Sequence, residues 1–128
     1  MKTIEVVAAI IKKDNKIFAT QRGYGEFKDG WEFPGGKIEE GETREAALIR
    51  EIKEELNVEI VVQEFLTTVN YDYPNFHLTM HCFICEVING ELMLLEHKAA
   101  RWLSKNELYE LDWLPADLDI LDQLKDII

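Results

Sequence analysis

The stretch TREAALIREIKEEL, residues 43 to 56, restricts the fold more than any other part of the chain. Thr43 after Gly41 suits an N-cap, nearby acidic residues complement the positive helix end, and Asn57 suits the left-handed residue that closes a helix. The segment therefore reads as one helix ending near Leu56. At about 100° per residue, Leu48, Ile49, Ile52 and Leu56 share one arc, and Glu51, Glu54 and Glu55 fill the neighbouring arc. The apolar arc needs a sheet to dock on, which holds the acidic arc at the edge of a core. Like charges three and four residues apart cost about 0.2–0.5 kcal/mol per pair, and partial desolvation adds to that. Such an arc calls for neutralisation. Two readings follow: a solvated helix eased by an Arg50–Glu54 pair, or a site for a hard cation such as Mg²⁺ or Mn²⁺.

The rest of the composition narrows the partners. With 25 acidic against 14 basic residues, a formal charge of −11 argues against any surface for polymeric nucleic acid, and an anionic substrate would need a cation as intermediary. No run approaches the about 20 apolar residues that span a bilayer, and MKTIEVVAAIIKK lacks the pattern of a targeting segment. A cytoplasmic protein without membrane association is expected, as a monomer or homodimer. Cys82 and Cys85 lie in an alternating strand, an odd number of residues apart, so they face opposite sides and read as buried, inert thiols rather than a redox or zinc pair. His77 and His81 share a face but stand about 13 Å apart, too far to share one ion.

Along the chain, IEVVAAIIKKD and KIFATQR flank Asp14-Asn15 as a hairpin, residues 23 to 30 form a loop, and Pro34-Gly35-Gly36 reads as a forced turn. Two long strands follow the helix, joined at Pro74-Asn75. Asn89-Gly90 is a turn and AARWLS a short strand. PADLDILDQLKDII places Leu118, Leu121, Leu124 and Ile128 at helical spacing. Interleaved strands and helices, with no repeat or linker, imply one domain over residues 1–128 of α/β (α+β) class, a sandwich with a mixed β-sheet.

From Gly36 to Val58 the spacing closely resembles the signature of the Nudix hydrolases, G-x5-E-x7-R-E-U-x-E-E-x-G-U, with U a bulky aliphatic residue. Gly36, Glu42, Arg50, Glu51, Ile52, Glu54, Glu55 and Val58 fit it, and Asn57 stands where the pattern has glycine. Asn tolerates the same left-handed geometry, so a small stability cost and intact chemistry are expected. The resemblance implies an α/β/α sandwich and hydrolysis of a nucleoside diphosphate linked to another group. It implies that Glu51, Glu54 and Glu55 hold Mg²⁺, or Mn²⁺ in its place, with the Gly35 carbonyl as a further ligand. By the same analogy Glu51 assists deprotonation of the attacking water, Arg50 orients Glu51 or contacts phosphate, and Glu96 matches a downstream glutamate used as ligand or base in MutT-type members. A plain surface glutamate is the alternative for Glu96. Glu42 reads as a supporting residue.

WEFPGGK is similar to the MutT-type nucleoside triphosphate pyrophosphohydrolases, which release NMP and pyrophosphate. IEVVAAII, LLEHKA and PADLDIL resemble the CTP and 5-methyl-dCTP enzymes of that group, with the 8-oxo-dGTP sanitising enzymes as the close competitor. By position Arg22, Phe33 and Asp117 match residues near the nucleotide. Their alternatives are a surface cation, a core residue and an N-terminal helix carboxylate. An ionised Asp117 would accept from an exocyclic amine, which cytosine and guanine both carry, so the base stays open. Two other functions are compatible with the box: hydrolysis of a nucleotide sugar or dinucleotide, and ligand sensing without catalysis.

Overall fold

In the computed structural model, which describes residues Met1–Ile128, Asp14 and Asn15 both have positive φ, 52° and 62°. This is the geometry of a two-residue hairpin turn, and it joins β1 (Lys2–Lys13) to β2 (Lys16–Arg22). β1 organises the rest. Over Lys2 to Ile11 it runs parallel to β6 (Phe76–Asn89), and over Val6 to Ala8 it pairs antiparallel with β4 (Gly35–Lys37). Only its last residues, Lys12 and Lys13, pair with β2, which in turn carries β3 (Trp31–Glu32) and β7 (His97–Leu103). β5 (Glu59–Tyr73) closes the far edge against β6. The sheet is mixed, in the order β3-β2-β1-β6-β5, with β4 on β1 and β7 on β2.

Alternation along β1 separates two cores. Val7, Ala9 and Ile11 pack against Ala47, Leu48, Ile52 and Leu56 of α1 (Arg44–Leu56). Ala8 and Ile10 face the other layer. There Leu108 of a 3-10 helix (Lys105–Glu110), Ala116 of α2 (Pro115–Leu118) and Leu121 and Leu124 of α3 (Leu121–Leu124) close the second core. Each buried aliphatic side chain contributes about 1.5–3 kcal/mol of transfer free energy. The result is the expected sandwich of helix, mixed sheet and helix. Cys82 and Cys85 fall in different cores, as their spacing requires, and burial raises both thiols, Cys85 to about 12. No helix is long and apolar enough to cross a membrane.

Thr43 caps α1 through its hydroxyl, which accepts from the Ala46 amide at 3.1 Å, and Asn57 closes the helix at φ 59°, ψ 32°. Three expectations need correcting. Gly35 and Gly36 are not a turn: the chain bends at Pro34 and both glycines enter β4, because a β-carbon on Gly35 would overlap the Val7 carbonyl and only glycine lets the two strands approach. The C-terminal segment is two short helices rather than one. The backbone tightens where the Ile120 amide bonds the Asp117 carbonyl, 3.2 Å away and three residues back, which turns Ile120 into the core and leaves Leu118 47% exposed. Ile49 is outside the buried arc of α1, and Glu55 takes a place within it, so the acidic and apolar arcs overlap.

His77 and His81 have separate partners. His81 bridges Thr68 and Glu5, each at 2.8 Å, and His77 meets Asp72 and Asn70.

Candidate active site

Arg50 sits at the centre of the acidic segment. Its guanidinium donates through Nε and one terminal nitrogen to Glu42, at 2.8 and 2.9 Å, in a fork that matches a carboxylate. The other terminal nitrogen reaches Glu51 Oε1 at 3.0 Å and Glu54 at 3.3 Å, and the Lys37 carbonyl accepts a further bond at 3.1 Å. Glu42 also accepts from the Glu39 amide at 2.9 Å. Its pairing with Arg50, then that amide, pulls its carboxyl down to about 2. Glu42 is thus spent on Arg50, which joins the loop before the helix to Glu51.

Glu51, Glu55, Glu96 and Gly35 line one hollow of about 280 Å³, together with Arg22 and Glu32. Glu54 does not line it; its side chain is 55% exposed at the rim, against Arg50. Glu96 arrives on the segment before β7. That segment is clipped to the end of α1, where the Met93 amide donates to the Leu56 carbonyl at 2.9 Å and the Leu95 amide to the Glu55 carbonyl at 3.0 Å. These bonds satisfy two carbonyls that a helix end leaves open. Gly36 lies directly beneath Glu51, where a β-carbon would overlap the carboxylate.

The electrostatics of the hollow are costly as they stand. Burial, followed by the charges of Glu51, Glu32 and Glu96, pushes Glu55 up to about 9, and burial also raises Glu51. Oε2 of Glu55 is buried with no hydrogen-bond partner. A buried carboxylate oxygen without a donor, facing further carboxylates, fits a hard divalent cation, which favours oxygen ligands and retains several waters. No three acidic or imidazole side chains form a ready-made cage. A cation here would be shared among Glu51, Glu55, Glu96, the Gly35 carbonyl and water or substrate oxygens.

A second hollow of about 250 Å³ adjoins the first and shares Arg22, Glu32 and Gly35 with it. Its walls are apolar, with Phe27, Phe33, Tyr73 and Phe76 among them, and Asp117 is the acid deep within it. Phe33 is buried and stacks on Trp113, ring centres 4.6 Å apart, while its amide holds Asp117. The C-terminal segment is brought here by β3, since Trp31 donates to the Asp112 carbonyl at 3.0 Å and its own carbonyl accepts from Leu114 at 2.9 Å. Burial raises Asp117 to about 8, the backbone bond from Phe33 opposing.

Arg22 stands where the two hollows meet, donating to both oxygens of Glu32 at 3.1 and 2.9 Å with its guanidinium 5.7 Å from the Phe27 ring centre. Glu32 and His97 were not singled out in the sequence. Burial would raise Glu32, but His97 and Arg22 outweigh it and hold the carboxyl below its usual range. A signal for Glu32 was present in WEFPGG, which fixes it two residues before Pro34. A larger hollow of about 620 Å³ beside Trp102 and Lys12 contains no residue of the acidic helix.

The chain matches the NUDIX domain family over residues 1–124. It belongs to the Nudix family and is a hydrolase of phosphoric anhydride bonds. Among its relatives, the CTP pyrophosphohydrolase of Escherichia coli K12 is 38% identical over 123 residues, covering 95% of this chain and 91% of the relative. The 8-oxo-dGTP diphosphatase of the same organism is 33% identical over 127 residues, covering 98% of each. The crystal structure of a MutT Nudix hydrolase from Burkholderia pseudomallei superposes with a TM-score of 0.87 at 26% identity, covering 96% of this chain and 98% of that one. Hydrolases of this family generally use divalent ions, in keeping with the unpartnered oxygen of Glu55.

Proposed function

We propose that the protein is a magnesium-dependent nucleoside triphosphate pyrophosphohydrolase, converting NTP and water to NMP and pyrophosphate. The observation that carries this reading is the joined pair of hollows, one acidic and one aromatic, meeting at Arg22. The aromatic hollow, small against the about 300–1,000 Å³ usual for ligand pockets, suits a single planar base. The triphosphate then extends past Arg22 toward Glu51, Glu55 and Glu96. Glu54 joins from the rim and the Gly35 carbonyl from β4.

Bound divalent ions would supply charge neutralisation at phosphate oxygens and a lowered pKa for water. The chain's own groups do the rest. Arg50 fixes the Glu51 carboxylate, so that Glu51 can take a proton from water near the phosphates. The Phe33 and Tyr73 walls keep water from the base. Asp117, neutral up to about pH 8, can both donate and accept. Such a carboxyl meets an exocyclic amine together with a ring nitrogen or carbonyl, an edge that cytosine and 8-oxoguanine both offer. The named relatives act on nucleotides that carry these two bases, and CTP, dCTP, 5-methyl-dCTP and 8-oxo-dGTP are the substrates to compare.

The test is pyrophosphate release, set against orthophosphate release, for those four nucleotides with and without Mg²⁺. Pyrophosphate from at least one of them, at a rate abolished by chelation, is expected. Glu54→Gln should lower turnover by orders of magnitude in a folded protein. Orthophosphate as the product, or near-normal rates in Glu54→Gln, would overturn the reading.

A further inference from the structure

Glu55 is the most deeply enclosed acid of the acidic hollow, its side chain 7% exposed, and the only basic group within ion-pair range of it is His97, at 3.4 Å from Nε2 to Oε1. The same Nε2 lies 3.6 Å from Oε2 of Glu32, whose two oxygens are held by Arg22. The ring is 5% exposed, and its Nδ1 is buried without a partner. A side chain kept only for packing would not leave a buried nitrogen unmade, since that costs free energy which a leucine or methionine would avoid. The polar contacts of His97 all pass through Nε2, and both lead to carboxylates at the junction of the hollows.

We infer that His97 is a positioning residue: its Nε2–H stands between Glu55 and Glu32, aims the Glu55 carboxylate into the acidic hollow, and ties that carboxylate to the Arg22–Glu32 pair beside the aromatic hollow. The role rests on the reading of the cleft given under Proposed function and deepens it. His97 itself borders the acidic hollow, and the role assigned to it is exercised through the two carboxylates that its Nε2 faces. It acts through Glu55 on the cation side and through Glu32 on the nucleotide side, so that the two hollows keep one fixed spacing. β7 supplies the rigid base, with His97 its first residue and paired with Arg22 of β2.

Three variants separate this role from packing. In His97→Gln the side-chain amide nitrogen reaches the place of Nε2, in His97→Asn it reaches only the place of Nδ1, and His97→Ala has neither. Mn²⁺ binding without nucleotide, read by electron paramagnetic resonance, is measured beside kcat and KM for the best of the four nucleotides and beside Tm. Alanine and asparagine should each weaken Mn²⁺ binding about 10-fold or more, the usual range for loss of a residue that orients a metal ligand. They should lower kcat with little change in KM, and glutamine should restore most of both. Wild-type Mn²⁺ affinity in His97→Ala and His97→Asn would overturn the inference, as would equal losses in glutamine and asparagine that track a fall in Tm. A wild-type protein that binds Mn²⁺ and releases pyrophosphate while His97→Ala matches it removes the role of His97 alone. A wild-type protein that does neither removes the underlying reading as well.

Discussion

The backbone amide of Phe33 donates to Oδ1 of Asp117 at 3.0 Å, across 84 residues of chain. The bond fixes the C-terminal segment to the strand that carries Glu32, and it gives Asp117 a structural role beside any part in reading the base. Asp117→Ala leaves the Phe33 amide buried and unpaired, so a loss of about 1–3 kcal/mol is expected in urea denaturation. Asp117→Asn keeps an acceptor and should fold normally. Because burial raises the folded pKa of Asp117 to about 8, its contribution is full below the ordinary aspartate range and is lost as pH rises through 8. Glu32 and Arg22 face the same carboxyl with opposite sign, and only Glu32 adds to the shift. Stability measured at pH 6 and pH 9 should fall more in the wild type than in Asp117→Asn.

Glu55→Gln separates stability from activity. The folded pKa of Glu55 stands at about 9, so in the metal-free protein its favourable contribution is complete below about pH 4.5 and drains away as pH rises toward 9. At pH 7 the glutamine variant should therefore be the more stable form without metal, by an amount on the order of 3 kcal/mol. Added Mg²⁺ should raise the Tm of the wild type and leave that of the variant nearly unchanged. Turnover should fall by at least about 100-fold. Thermal melts at pH 5, 7 and 9, with Mg²⁺ and with chelator, check each part.

Adjacent glycines make a sharp contrast. On Gly35 a methyl group meets the backbone carbonyl of Val7, which cannot move without breaking the β1–β4 pairing, so Gly35→Ala should cost about 3 kcal/mol or more and yield little folded protein. On Gly36 it meets only the far end of the Glu51 side chain, which can shift without disturbing the backbone. Gly36→Ala should fold with a Tm near that of the wild type, bind Mn²⁺ more weakly and turn over about 10- to 100-fold more slowly. Circular dichroism and Mn²⁺ titration of the two variants decide the matter.

At the end of α1, Asn57 holds the left-handed conformation with φ 59°. Asn57→Gly should stabilise the fold by about 0.5–1 kcal/mol, since glycine adopts this region without a β-carbon penalty, and should leave kcat unchanged. Guanidinium denaturation beside a steady-state assay checks both.

Local signals account for what the sequence showed. Thr43, Asn57 and Asp14-Asn15 act within a few residues of themselves, so the helix ends and the first hairpin were legible, and the spacing from Gly36 to Val58 pointed to the family and to Glu51 and Glu55, which line the acidic hollow, while Glu54 stays at its rim. Relations between distant strands were not legible. His97 reaches Glu55 only after β5 and β6 have crossed the sheet and returned, and nothing near residue 97 states where that path ends. Glu32 sits on a two-residue strand whose face depends on pairing with β2. The placement of Ile49 and Leu118 failed for a related reason. Helical spacing gives relative angles, while the neighbouring layers decide which arc is covered, and at α1 they covered Glu55 in preference to Ile49.

The two amides of Met93 and Leu95 that fasten the stretch before β7 to the end of α1 make its length a tuning variable. Adding or removing a residue between Gly90 and Leu95 would leave the strands in place, but it would shift Leu92 on the core beneath α1, strain the two amide bonds, and deliver Glu96 and His97 out of step with the helix opposite. Substitutions at the exposed positions Met93 and Leu94 therefore offer a gentler way to retune the delivery of Glu96 than any change in the length of the span.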